Sequence, residues 1–329
     1  MNRFAMMPLA AWRHALQRSW QRDRDRWLLG AAALVLAAGF LKPSLPLPRQ
    51  LFNHVVVLDV TQSMNVQDHL LDGKPASRLA FAKHALRLAM SRLPCGSKVG
   101  LGLFTEYRAY LLFTPVEVCA NLQELRSTLS QIDGRMAWSG NSEITKGLFS
   151  GLAVARQLPD VPSLVFVTDG HEAPPLSPGH RPAFQGKPGE VAGLIVGVGG
   201  LTPRPIPKID TLGRPLGTWG ADEVTQADPH SGGGAGVGGS EHLSSLHEAH
   251  LSLLASETGL RFLRLQDTAT LAEALVAPVL ARPVPARLDL RGVLGVIALG
   301  LLLLRHLRWP LRAGSLMSLL RRRAEREPA

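Results

Sequence analysis

The chain has only two cysteines in 329 residues, Cys95 and Cys119. No Cys-x-x-Cys occurs, so a cysteine-built zinc site is not expected. Zinc-protease helices need His-Glu-x-x-His, and His247-Glu248-Ala249-His250 is one residue short. His247 and His250, with His230 and His242 near them in sequence, are better read as solvated positions than as ligands. Gly197-x-Gly199-Gly200 follows a strand but lacks the dinucleotide-binding pattern. Ser63 has no histidine in a nucleophile elbow. These absences argue against an enzyme.

Long apolar runs are also missing. Trp27 to Leu41 and Gly292 to Leu304 both fall below the roughly 20 residues that a bilayer-crossing helix needs. With Trp27 and Lys42 as interfacial anchors, and with flanking residues adding length, the expectation is a transmembrane helix at 27–42 and another at 288–308. A buried core helix is the alternative for each. The first run lacks a small-x-small cleavage site, which disfavours a signal peptide.

A balance of charge is what the ends lack. The net charge is +10, yet residues 1–26 carry six Arg against two Asp, and residues 305–329 carry seven Arg against two Glu. The long middle is nearly neutral. Basic tails beside apolar segments follow the positive-inside pattern and exclude a nucleic-acid-binding face. Tails 1–26 and 309–329 are therefore expected in the cytoplasm. Residues 43–287 are expected on the other side of a bacterial inner membrane, in the periplasm. There the two cysteines, about equally far from the Glu106-Tyr107 turn of a hairpin, could pair; two unpaired buried thiols are the alternative.

The chemistry that is present lies at strand ends. Val55 to Leu58 reads as a strand buried on both faces, and Asp59-Val60-Thr61-Gln62-Ser63 follows it. Oxygens at alternate positions can converge on a hard cation such as Mg²⁺ or Ca²⁺. A second buried strand, Leu164 to Thr168, ends at Asp169-Gly170, and Ser139 to Glu143 forms a polar loop before a helix. Strands alternating with helices indicate an α/β, doubly wound (Rossmann-like) sheet, whose ligands gather at the carboxyl ends of strands. Helices are expected over 77–93, 122–132, 144–157, 241–257 and 268–277. Residues 43–48 read as a proline-rich spacer. Loop insertions are expected at 171–188 and 201–240, the second ending in a Gly-rich segment, 228–240.

In these residues the chain resembles von Willebrand factor type A domains with a metal-ion-dependent adhesion site. That family has Asp-x-Ser-x-Ser after the first strand, a Thr in a second loop and an Asp in a third. Asp59, Thr61 and Ser63 match the first element, with Thr61 in place of Ser. Ser142 stands for the Thr, and Asp169 matches the Asp. The resemblance implies a divalent cation whose open position takes an Asp or Glu from a partner protein. Simple capping by Asp59 and Asp169 is the plainer alternative. A metal-dependent hydrolase using His171 or Glu172 as base is a remote one.

A type A domain between two membrane segments is similar to the aerotolerance family, whose members work with MoxR-type AAA+ ATPases. Residues 58–66, 93–97 and 135–143 resemble the MxaL-like accessory proteins of methanol dehydrogenase maturation. That likeness implies help in assembling a periplasmic quinoprotein by Ca²⁺ insertion.

Overall fold

The computed structural model describes residues 9–227 and 239–306. In chain order the elements are α1 (Leu9–Gly39), β1 (Ser44–Leu51), β2 (Asn53–Asp59), β3 (His69–Leu71), β4 (Lys74–Ala76), α2 (Arg78–Arg92), β5 (Lys98–Thr105) and β6 (Arg108–Glu117). Then come α3 (Leu122–Gln131), α4 (Ile144–Gln157), β7 (Ser163–Thr168), β8 (Gly193–Gly197), β9 (Arg204–Pro205), β10 (Pro207–Ile209) and β11 (Pro215–Thr218). The last are β12 (Leu243–Ser244), α5 (Glu248–Thr258), β13 (Arg261–Arg264), α6 (Thr268–Leu275), β14 (Arg282–Asp289) and α7 (Arg291–His306). The chain divides into two units, Arg49–Val284 and the segments Met1–Pro48 with Pro285–Ala329.

The larger unit is built on one six-stranded sheet in the order β13-β8-β7-β2-β5-β6. Every pairing is parallel except that of the edge strand β6 with β5. All seven residues of β2 are buried, as its unbroken apolar run requires. Its side chains alternate between two cores. Val56 and Leu58 meet α2, α3 and α6 through Leu79, Leu86, Leu125, Leu129 and Leu271. Val55 and Val57 face the other layer, with Ile144, Leu148, Leu251 and Leu254 from α4 and α5. Helices thus cover both faces, giving the expected doubly wound sheet.

The order of strands fixes where a ligand would sit. From β2 the chain first builds outward through β5 and β6, then crosses back to β7 on the other side of β2. The crevice at such a reversal opens at the carboxyl ends of the two strands. Here those ends are Asp59 and Thr168. Tight packing supports this rim from below: a Cβ on Gly147 of α4 would sit 2.0 Å from the Phe104 ring. Cys95 and Cys119 form a disulfide with Cα atoms 5.3 Å apart, closing the open end of the β5–β6 hairpin.

Several boundaries differ from the sequence expectations. Residues 241–247 are not helical: β12 pairs antiparallel with β9, and α5 starts at Glu248. The proline-rich stretch after Pro43 is strand β1, paired with β14. A two-stranded ribbon leaves outer N–H positions where proline is tolerated. The 171–188 insertion holds only a 3₁₀ turn, Pro178–His180. Residues 228–238 of the Gly-rich segment lie outside the described residues.

In the smaller unit α1 packs along α7. Among the described residues no helix is long and apolar enough to cross a membrane. The span expected at 27–42 is not met by α1, and the one expected at 288–308 runs past the described residues. In α1 the apolar stretch is preceded by charged residues at every position from Arg22 to Arg26 and ends at Gly39. Residues 288 and 289 belong to β14, and α7 is described over 16 residues. Residues 307–329, including the expected second tail, lie outside the described residues. The unit nevertheless presents apolar side chains to solvent: Trp27, Leu34, Phe40 and Leu41, and on α7 Val293, Val296, Leu299 and Leu303.

Candidate metal centre

The five oxygen-bearing residues singled out from the sequence meet at this rim. Asp59 ends β2 and is fully buried. Its Oδ1 accepts hydrogen bonds from the Thr61 backbone N–H (2.9 Å) and hydroxyl (2.7 Å). Its Oδ2 accepts from the Thr168 hydroxyl at 2.6 Å. A 3₁₀ turn over Gln62–Asn65 then curls the chain, so that the Thr61 and Ser63 hydroxyls lie 3.4 Å apart. The Ser142 hydroxyl is 3.4 Å from that of Thr61, although 81 residues separate them.

Backbone stitching holds Ser142 there. It exchanges N–H···O bonds with Ala173, at 2.6 and 2.9 Å, and the next N–H, of Glu143, donates to Glu106 O. The second loop is therefore pinned between the β5–β6 turn and the chain after β7.

Asp169 is also fully buried, and its oxygens are largely engaged by the protein. Oδ1 accepts the His171 N–H at 3.0 Å. Oδ2 accepts from Arg78 Nη1 at 2.5 Å and from the Ser244 hydroxyl at 3.0 Å. The Ser63 hydroxyl lies near enough to help keep Asp169 ionised.

Arg78 was not foreseen. It is the first residue of α2, wholly buried. Besides Asp169 it donates to Asp68 Oδ2 through Nε (3.0 Å) and Nη2 (2.8 Å), and to the Ser244 hydroxyl and carbonyl. The sequence signal was slight: an arginine in a first helical turn reads as solvated. Thr168 and Ser244 were missed for a similar reason, since a strand-end Thr and a Ser in a polar stretch are commonplace.

The two acids have opposite electrostatics. Burial, and then the negative charge of Asp169, push Asp59 up to about 7, against the hydrogen bonds from Thr168 and Thr61. Burial also works to raise Asp169, but the Arg78 guanidinium chiefly holds it below the ordinary carboxylate range. Asp169 is therefore already balanced by a protein cation. Asp59 has no ion pair among the described residues.

This donor set suits a hard divalent cation. All its donors are oxygen, three of them hydroxyls, and Asp59 carries a buried charge that a cation would compensate. Asp59, Thr61, Ser63 and Ser142 would hold the ion, with Asp169, already paired with Arg78, beside it. Among the described residues no cluster of three or more His, Cys, Asp and Glu side chains could hold a metal. His247 caps the start of α5, and His250 lies 3.2 Å from Glu172 Oε1. His230 lies outside the described residues. Glu172 is further tied to the Thr145 N–H and hydroxyl.

Residues 54–171 match the family model for the von Willebrand factor type A domain. No curated protein matches the chain. Among solved structures, it is similar to an aerotolerance-related membrane protein from Bacteroides fragilis, with 17% identity, 68% of this chain and 96% of that one covered, and a TM-score of 0.45. It is similar also to BatB from Bacteroides thetaiotaomicron, with 16% identity, 68% and 95% coverage, and a TM-score of 0.44. A type A protein from Catenulispora acidiphila gives 12%, 71% and 43% coverage, and 0.38. The matched stretch runs from the start of β2 to just past Asp169, so it contains all five oxygen-bearing residues.

Proposed function

We propose that the type A domain is a metal-dependent protein-docking module. A divalent cation, Mg²⁺ or Ca²⁺, sits on Asp59, Thr61, Ser63 and Ser142, and a partner protein supplies an Asp or Glu to its open position. The observation that carries this reading is the electrostatic asymmetry of the two acids. Arg78 has already neutralised Asp169, so Asp59 gives the ion its one uncompensated carboxylate. An ion held mainly by neutral hydroxyls keeps most of its charge and attracts an incoming carboxylate.

The module acts as a docking device rather than a catalyst. Glu172, the candidate base of a hydrolase, is committed to Thr145 and His250. The apolar side chains exposed on α1 and α7 support placing the protein at a bacterial inner membrane. The Cys95–Cys119 disulfide supports a periplasmic setting for the domain. The wider role is a general envelope factor working with a MoxR-type AAA+ ATPase. Assembly of a periplasmic quinoprotein with Ca²⁺ insertion is the narrower one, carried by the likeness of residues 58–66, 93–97 and 135–143 to MxaL-like proteins.

The test is capture of partners from a periplasmic extract in Mg²⁺ or Ca²⁺ and then in EDTA, alongside Asp59→Ala. A partner retained only with metal and lost in the variant is the expected result, and its identity separates the two roles. The same partners bound in EDTA and by Asp59→Ala would overturn the docking reading.

A further inference from the structure

The described part of the second insertion, residues 201–227, folds back over the rim that carries Thr61 and Ser63. Through β9 and β12, Arg204 pairs with Ser244 and Pro205 with Leu243. Ile206 is buried, and its carbonyl accepts the Trp219 N–H at 3.0 Å. The Trp219 indole N–H donates to the side chain of Gln62, which lies between Thr61 and Ser63. The result is a cleft of about 190 Å³ with Thr61, Ser63 and Ser142 on one side and Ile206, Trp219 and Glu241 on the other.

Glu241 is the informative residue of this wall. Its backbone N–H donates to Gln226 Oε1 at 3.1 Å, and the next carbonyl, of His242, accepts from Ile206 N–H at 3.1 Å. Three residues on, Ser244 is bonded to Asp169 and Arg78. Glu241 is thus held on a segment anchored to the metal loops themselves. Its carboxylate, by contrast, has no hydrogen bond or ion pair among the described residues, although the residue is partly buried.

The other acid of the cleft differs. Glu223 is answered by Lys208 and by the Gly220 N–H at 3.0 Å. Lys208 also stacks on Trp219, 4.4 Å from the ring centroid, so it is engaged elsewhere. Glu241 instead shares the cleft with the Thr61, Ser63 and Ser142 hydroxyls, and a cation held there would answer its partly buried carboxylate. Burial raises the Glu241 pKa accordingly.

We propose that Glu241 is the chain's own carboxylate ligand for the cation on Asp59, Thr61, Ser63 and Ser142, and that it caps the position a partner's acid must take. The inference rests on the metal reading above. The partner's carboxylate then competes with one supplied by Glu241 of the same chain. Mg²⁺ takes six oxygen ligands and Ca²⁺ six to eight, so one further carboxylate fits either shell.

The test is calorimetric titration of the full chain with Ca²⁺ and with Mg²⁺, for wild type, Glu241→Gln and Glu223→Gln, with circular dichroism confirming that each is folded. Glu241→Gln is expected to weaken metal binding about tenfold or more, the scale on which metal-site carboxylates act, with Glu223→Gln within about twofold of wild type. Acetate, used as the probe carboxylate, should then bind metal-saturated Glu241→Gln more tightly than metal-saturated wild type. A smaller loss in Glu241→Gln, an equal loss in Glu223→Gln, or unchanged acetate binding would overturn the role of Glu241 and leave the metal site standing. No metal binding by wild type would overturn the metal reading itself.

Discussion

Arg78 is the most consequential side chain that the fold hides. Replacing it by Met keeps the length of its stem but removes five donors and a charge. Two buried carboxylates, Asp169 and Asp68, then lose their cation, and the Ser244 hydroxyl and carbonyl lose a donor. Breaking one side of a buried ion pair costs about 3–5 kcal/mol. For a unit of this size that corresponds to a fall in Tm of roughly 10 °C. The assay is urea denaturation in EDTA, so that no metal contributes. A double-mutant cycle isolates the pair: Arg78→Met with Asp169→Asn should be less destabilised than the two single variants summed, by about 1–3 kcal/mol. Arg78→Lys should recover only part of the loss, since a point charge cannot reach Asp169, Asp68 and Ser244 together. An Arg78→Met domain within about 1 kcal/mol of wild type, or strict additivity in the cycle, would refute the reasoning, because a cation that holds two buried acids together cannot be removed at so little cost.

Two further outcomes follow from the core. His54 at the start of β2 is buried and donates Nε2–H to Leu275 O at 3.0 Å; burial lowers its pKa to about 4. Its neutral form is therefore the folded one, and its contribution is complete above pH 6.5 and lost as pH falls towards 4. Over that window wild type should lose about 3 kcal/mol that His54→Gln, which keeps a donor, does not; parallel pH-stability curves would contradict this. Gly147→Ala should destabilise by about 1–3 kcal/mol, because its Cβ would overlap the Phe104 ring, and Phe104→Leu should relieve part of that; thermal melts of the single and double variants check it.

The central sheet and its oxygen-bearing ends were legible because they obey short-range rules. An apolar run of β-branched residues that ends abruptly in Asp59 can only be a buried strand meeting a polar rim, and Leu164 to Asp169 repeats the logic. The strand order then brings Ser142 to the same place. Arg78 was not legible, because its burial depends on Asp68, Asp169 and Ser244 converging from three distant segments. Residues 241–247 carry no strong breaker, yet Ser244 is drawn into a strand by its hydrogen bonds to Arg78 and Asp169, so α5 starts later than the pattern suggests. Pro46 and Pro48 mark a spacer by composition but lie on a two-stranded ribbon, where such residues are allowed. Apolar content in 27–42 and 288–308 suggested spans, while the charges at Arg22 to Arg26 interrupt the apolar part of α1 and residues 288–289 belong to β14 rather than α7.

The central claim is that Asp59 and the hydroxyls around it hold a divalent cation. Calorimetric titration of wild type and Asp59→Ala with Ca²⁺ and with Mg²⁺, each shown to be folded, tests it most directly. Saturable one-to-one binding by wild type, lost in Asp59→Ala, is the predicted result. Equal binding by both, or none by wild type, would contradict it.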